Sequence, residues 1–244
     1  MIQMKKVLLL AIVATIFSFQ SNAQRNYFTS QSEYILSWSN YVGDSDDGSN
    51  RTRFTMFPNY ELVYNIDGNG ALGMYLGLSH RNVGFSWKDS VKHKRRSMSF
   101  GVPLVFKIGD LENENFFFFG GEAELFYHLK KKDWDKDGNK NKVSNWLSDE
   151  VNMFQQSAMI GYCTNRVMLK AKYYFTDFFN TEYEKANGSL PYANTSSNMF
   201  YLSIALRTDV GDSGVDLEED DDDRGGEGFD FGSNIIRNEL YRNI

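Results

Sequence analysis

Asp133, Asp135 and Asp137 occupy alternate positions in Asp133-Trp134-Asp135-Lys136-Asp137-Gly138. Alternate carboxylates ahead of a glycine resemble the opening of a calcium loop, where hard oxygens ligate the ion and glycine admits a sharp turn. The twelfth position of such a loop is Ser144, not a bidentate glutamate, and Lys130–Lys132, Lys136, Lys140 and Lys142 oppose a divalent cation. The motif is therefore a weak calcium candidate, and a solvated polar loop tip is the competing reading. No other cofactor is expected.

A second constellation is cationic. Lys88, Lys92, His93, Lys94, Arg95 and Arg96 crowd one segment, and Lys130–Lys132 another. Ammonium and guanidinium groups pair readily with phosphate. Lys92, Lys94, Arg95 and Arg96 thus form a candidate rim for lipopolysaccharide phosphates, with a plain charged rim that keeps loops in water as the alternative.

Catalytic sets are not evident. His80, His93 and His128 come from separate segments without metal-ligand spacing, and no Gly-x-Ser-x-Gly elbow or Ser/His/Asp set stands out. Glu122 and Glu124 share a strand face and have the chemistry of an acid–base pair, but a salt-bridge network with Lys170 and Lys172 is the preferred reading. Cys163 is the single cysteine, so no intramolecular disulfide forms; it reads as a small residue near a strand end. The chain is expected not to be an enzyme.

The elements that must position these groups are long strands. In Val167–Phe178, Leu169, Ala171, Tyr173 and Phe175 alternate with Lys170, Lys172, Tyr174 and Thr176. In Met199–Arg207, Phe200, Leu202, Ile204 and Leu206 alternate with Tyr201, Ser203, Ala205 and Arg207. Period-two alternation gives each strand one apolar and one polar face. Globular strands run about 5–6 residues, whereas a tilted bilayer-crossing strand needs about 9–11.

Eight such segments are predicted: Glu33–Val42, Arg51–Ile66, Ala71–Phe85, Arg96–Ile108, Phe116–Leu129, Met153–Cys163, Val167–Phe178 and Asn198–Thr208. Their connectors alternate long and short. Asp67-Gly68-Asn69-Gly70, Gly109–Asn115 and Thr164-Asn165-Arg166 are short; Gly43–Asn50, Ser86–Arg95, Lys130–Asn152 and Phe179–Ser197 are long and polar. Alternation of this kind predicts an all-β, closed, eight-stranded antiparallel up-and-down transmembrane β-barrel, with short turns on one rim and long loops on the other.

Tyr34, Leu36, Trp38, Phe54, Leu62, Met74, Leu78, Phe100, Val102, Phe119, Leu125, Phe154 and Ile160 are assigned to the outward face. Tyr34, Trp87, Tyr127, Tyr162 and Phe178 are assigned to interfacial girdles. The inward face carries Glu33, Glu61, Glu122 and Glu124 against Lys107, Lys170, Lys172 and Arg207, a balanced set that predicts a self-paired, filled lumen. Gly73, Gly77, Gly101 and Gly120 relieve crowding there. A soluble lipocalin-like ligand-binding barrel would invert the two faces, and period two alone does not choose between them.

Ahead of the strands, Lys5 and Lys6, the apolar run Val7–Phe19 and Ser21-Asn22-Ala23 read as a cleaved secretory signal peptide, residues 1–23. This start, the eight amphipathic strands and polar loops such as Asp44–Asn50 resemble the small outer-membrane β-barrel proteins of Gram-negative bacteria, the OmpA/OmpX-like and porin-like barrel domains. The resemblance covers about residues 25–208. It implies an outer-membrane location and carries over no functional residue.

The formal charge is −6, yet 12 acidic and 3 basic residues fall in Asp209–Ile244. The remaining body is nearly neutral, which argues against a nucleic-acid binder with its concentrated basic face. Residues 24–208 are expected to form the barrel and 209–244 a flexible acidic tail on the periplasmic side. In that tail Ile235, Ile236, Leu240, Tyr241 and Ile244 would give a short helix an apolar face for an envelope partner. Expected partners are outer-membrane lipid and such a protein, for a barrel that is itself monomeric. The expected role is structural, binding or envelope assembly through loops and tail; a narrow channel and a lipid-modifying barrel enzyme are the alternatives.

Overall fold

The computed structural model describes residues 23–42, 49–68 and 71–210. Residues 1–22 of the signal-peptide segment, much of the first long loop, the Asn69-Gly70 turn centre and the acidic tail from residue 211 on lie outside the described residues. Among the described residues eleven strands form one antiparallel sheet: β1 (Ala23–Ser39), β2 (Ser49–Arg51), β3 (Arg53–Thr55), β4 (Tyr60–Gly68), β5 (Leu72–Lys88), β6 (Lys92–Asp110), β7 (Asn115–Trp134), β8 (Lys140–Trp146), β9 (Phe154–Thr164), β10 (Val167–Tyr174) and β11 (Met199–Val210).

The sheet closes. β11 pairs with β1 from Phe28↔Val210 to Ser39↔Met199, and every other stave pairs with its neighbours in chain order. Eight staves make the ring, β3 and β4 together forming one, while β2 pairs only with β5 and β8 only with β7. An up-and-down ring leaves no unpaired edge. The β3/β4 stave is interrupted at 56–59, where buried Asn59 donates to the Glu33 carbonyl (3.2 Å) and accepts from the Asn82 amide (2.8 Å). Its side chain carries the hydrogen bonding across the break.

The turn rim is tight. β9 and β10 meet through Asn165-Arg166, both at positive φ (45° and 68°), the conformation a two-residue hairpin of the right hand requires. The opposite rim departs from the expectation of long irregular loops. β5 runs on to Lys88 and β6 starts at Lys92, so Asp89–Val91 alone joins them. Within the predicted loop Lys130–Asn152, β7 continues to Trp134 and folds back as β8. Lysine-rich strand extensions show no apolar alternation, so the hydrophobic pattern ended before the strands did. β1 likewise starts at Ala23, ten residues before the predicted Glu33, along a polar stretch.

The outward parity is apolar as assigned: Leu78, Phe154 and Ile160 are 66%, 75% and 64% exposed. Met74 departs from this, being buried on the outer surface where it pairs with Ile66 and Phe106. Trp87 and Phe178 are also corrected. They belong to no girdle but to a buried aromatic cluster with Phe85, Phe126, Phe179 and Tyr201 inside the long-loop end.

Candidate functional site

The lumen is filled in layers, each set by strand parity. Nearest the turn rim, Lys107 meets Asp67, and Tyr27 donates to Asp67 (2.8 Å) while accepting from Arg207 (2.8 Å), whose other nitrogen reaches Glu114 at 2.9 Å. Above it lies an apolar layer containing Val63, Tyr75, Val105, Phe118, Met159 and Met168, with Cys163 buried beside them.

The third layer is ionic. Arg81 is its hub, with Nη1 2.6 Å from Glu33 and Nη2 2.7 Å from Glu61 and 2.9 Å from Glu122. Lys170 lies 3.1 Å from Glu61 and 3.6 Å from Glu33; Lys172 is 2.6 Å from Glu122 and also pairs with Glu124. Hydroxyls complete the carboxylates: Ser203 donates to Glu33 (2.5 Å), Ser79 to Glu122, and Ser99 (2.6 Å) and Tyr174 (2.8 Å) to Glu124. Side chains of these seven charged residues are no more than 1% exposed. Burying such groups costs several kcal/mol each unless partners and hydrogen bonds offset it, which is why the set occurs as a mutually bonded cluster.

The top layer is the aromatic cluster, and the β10–β11 connection folds over it. Phe179 stacks on Tyr192 with centroids 4.2 Å apart and planes at 6°, and Tyr192 donates to Glu150 (3.3 Å), itself held by Lys131 at 2.7 Å. The mouth is thereby capped.

The structure brings together Glu33, Glu61, Glu122, Glu124, Lys170 and Lys172 as expected. Lys107 and Arg207 are corrected: the apolar layer separates them from that cluster, and their partners are Asp67 and Glu114. Arg81, Asp67 and Glu114 were not among the expected lumen charges. Arg81 shares parity with Gly73 and Gly77 on β5, and Asp67 shares it with Glu61 on β4, so the alternation itself contained the signal. Glu114 sits in a turn at positive φ (52°), where no parity applies.

The three aspartates of the calcium candidate do not converge. Asp133 accepts from Arg95 (2.7 Å) and bonds His93 Nδ1 (2.6 Å), while Asp135 caps its own turn by accepting from the amides of Asp137 (3.0 Å) and Asn139 (2.7 Å). Among the described residues no group of three or more His, Cys, Asp or Glu is placed to hold a metal ion. Partial burial alone would raise the Asp133 carboxyl; Arg95 and then His93 outweigh it and hold the group below the ordinary carboxylate range. Arg95 is likewise corrected as a rim cation, since it is buried against Asp133 with its guanidinium 5.0 Å from the Trp87 ring centre.

Lys92, Lys94 and Arg96 take the opposite parity and face outward. Register places Lys94 beside Lys132 and Lys132 beside Lys142, Arg96 beside Lys130, and Trp134 beside Lys140. Lys92 and Lys140 flank the Trp134 ring, at 5.1 and 5.3 Å.

No family model matches this chain, and no curated protein matches it. Solved structures do align with it. Neisserial surface protein A (NspA) does so at 10% identity and TM-score 0.38, over 77% of this chain and 100% of that one. Ail, the attachment invasion locus protein of Yersinia pestis, aligns at 15% identity and TM-score 0.35, over 75% and 98%. The outer membrane protein OprG from Pseudomonas aeruginosa aligns at 8% identity and TM-score 0.32, over 78% and 98%. The barrel assignment rests on the ring's own hydrogen-bonded closure.

Proposed function

We propose that the chain is an outer-membrane β-barrel protein of a Gram-negative envelope, exported by a signal peptide cleaved after Ala23. Its role is structural, binding or envelope assembly through its long-loop end and acidic tail. One observation carries the reading: apolar side chains stand exposed around the outer surface while ionised side chains fill the interior. A water-soluble barrel has the reverse economy, and exposed apolar area on this scale calls for lipid.

The filled lumen bears on the alternatives. An ion crossing it would have to displace a bonded ionic layer, an apolar layer and an aromatic cap, so the barrel is read as a non-conductor. A lipocalin-like pocket has no room among the same side chains. Ser144 Oγ lies 2.8 Å from His128 Nε2, but among the described residues no carboxylate is bonded to that imidazole, and the charges beside it are the cations Lys130 and Arg96, which leaves the lipid-modifying alternative without the third member of a triad. The tail, residues 209–244, is the proposed contact for a periplasmic or envelope protein.

Membrane fractionation and planar-bilayer recording test the reading. Extraction only by detergent, and no steady unit conductance after reconstitution, are expected. Recovery in the detergent-free soluble fraction would overturn the membrane assignment; reproducible single-channel steps would overturn the closed lumen.

A further inference from the structure

The strand extensions β6, β7 and β8 carry two faces of opposite chemistry. On the inward parity each cation has a carboxylate: Arg95 with Asp133, and Lys131 with Glu150. On the outward parity the register stacks Lys94, Lys132 and Lys142 in one row and Arg96 with Lys130 in the next. Among the described residues none of these five forms an ion pair. Partial burial, and after it the neighbouring cations Arg53, Lys132, Lys92 and Arg96, hold the Lys94 ammonium below the ordinary lysine range. Lys132 is depressed the same way, by burial and then Lys140, Arg96, Lys142 and Lys130. Like charges side by side on adjacent strands are destabilising, so the arrangement favours a multivalent anion.

On β6 the same outward parity continues downward, past a bulge between Met98 and Ser99 at which β7 shifts its register by one residue. Below Arg96 come Met98 and Phe100, and the Tyr127 ring is stacked between Phe100 (centroids 5.0 Å) and the exposed Trp146 (5.5 Å). Amphipathic aromatic rings of this kind sit at a membrane–water interface. Arg96 is four residues beyond Phe100, about 13 Å along the strand at the usual rise, which sets the cations at headgroup height if Phe100 marks the interface. Directly beneath, Val102, Ala123 and Ala158 leave a shallow apolar groove flanked by Phe119 on the outer wall. The order from rim to belt is thus cations, aromatic step, apolar groove, which is the order of parts in a phosphorylated lipid.

Resting on the proposed membrane assignment, we infer that the outward face of β6–β7–β8 binds a phosphate-bearing glycolipid of the outer leaflet, with Lys94, Arg96, Lys130, Lys132 and Lys142 as its phosphate contacts. Lysine ammonium groups act as point charges and Arg96 offers a planar fork. Because the cations are half-exposed or exposed at the surface, added salt weakens the contact.

The test uses the full chain in phosphatidylcholine nanodiscs, titrated with diphosphorylated lipid A and with its phosphate-free counterpart. The unmodified protein is expected to prefer the diphosphorylated lipid by about tenfold or more, equivalent to about 1.4 kcal/mol. Lys94→Gln/Lys132→Gln/Lys142→Gln abolishes that preference, Lys94→Arg/Lys132→Arg/Lys142→Arg retains it, and Lys136→Gln/Lys185→Gln at exposed loop positions leaves it unchanged. Circular dichroism and heat-modifiable gel mobility confirm folding of each variant. Equal binding of the phosphate-free lipid, or an unchanged preference in the glutamine variant, overturns the inference. So does inorganic tripolyphosphate binding as tightly as the lipid, which would make the face a site for free polyanions. Flotation with neutral phosphatidylcholine vesicles reads the membrane assignment separately: no flotation sinks that assignment, whereas flotation without phosphate preference sinks only the lipid site.

Discussion

Arg81 Nη1 lies 2.6 Å from Glu33 Oε2 although the β3/β4 stave stands between their strands. The bond is a chord across the lumen, and Arg81 makes a second chord in the other direction, past β6 to Glu122. A single guanidinium thus ties three carboxylates on three staves. Arg81→Met leaves Glu33, Glu61 and Glu122 with only Lys170 and Lys172, and removing one partner of a buried ion pair typically costs about 3–5 kcal/mol. Urea unfolding of reconstituted protein is expected to show a loss of that order. Arg81→Met/Glu122→Gln, which removes one stranded charge, recovers part of it. A single variant as stable as the parent would contradict the hub.

Asp133 gives the strand extension a defined acid limit. Its carboxyl is held below the ordinary range in the folded chain, so its contribution to order is present above the unfolded carboxylate pKa. That contribution is lost as pH falls through the lower folded value. His93, stacked on Trp87 at 4.8 Å, lies between Asp133 and Asp89, and Arg95 completes the group. Tryptophan emission from Trp87 is expected to show a transition below about pH 4, at the lower edge of the ordinary carboxylate range. Asp133→Asn removes that transition. A shift of equal size in the asparagine variant would assign the transition elsewhere.

Gly161 marks how closely the lumen is packed. A Cβ there would meet the Leu169 carbonyl oxygen and the edge of the Phe118 ring, so backbone and a buried aromatic would both have to move. Overpacking of this kind costs about 1–3 kcal/mol. Gly161→Val is expected to lower stability by that amount, whereas Gly138→Val, at an open loop position, reports only its φ of 83°. Parallel urea titrations separate the two; a Gly161→Val variant at parental stability would mean a looser interior.

What the alternation made legible, and what it did not, follows from one rule. Where a strand faces apolar surroundings on one side, period two declares its existence, its parity and its face, as in Met199–Arg207. Hence the eight staves, the outer belt and most of the ionic layer were readable. The same rule applied strictly would have placed Arg81 and Arg95 inside, because they continue the inward parities of Gly73–Ser79 and Ser97–Lys107. It would also have moved Trp87 inward with Val83 and Phe85. The rule is silent where both faces are polar. The β6–β7–β8 extension lies there, so its pairing register, and with it the rows of lysines, became visible only in three dimensions. Which acid meets which base was similarly hidden, since cross-lumen contacts depend on barrel radius and stagger rather than on any single strand.

The outer belt yields a prediction that distinguishes a lipid-facing surface from a merely exposed one. Leu76 projects outward from β5 midway between Leu72, at the turn-rim end, and His80, which pairs with Phe100 at the upper belt; Leu76 and Leu72 are both exposed, at 47% and 52%. In water an exposed Leu→Arg substitution changes stability by about 0.5 kcal/mol or less wherever it lies. In a bilayer the cost is graded with depth: about 2–4 kcal/mol for arginine at the midplane, falling to about 0–1 near an interface. Leu76→Arg is therefore expected to destabilise the protein reconstituted in lipid by several times more than Leu72→Arg. The ratio is the informative quantity, since a general cost of adding charge cancels in it. Unfolding titrations of the two variants in the same lipid measure it, and equal, near-zero effects would mean that no hydrocarbon covers this face.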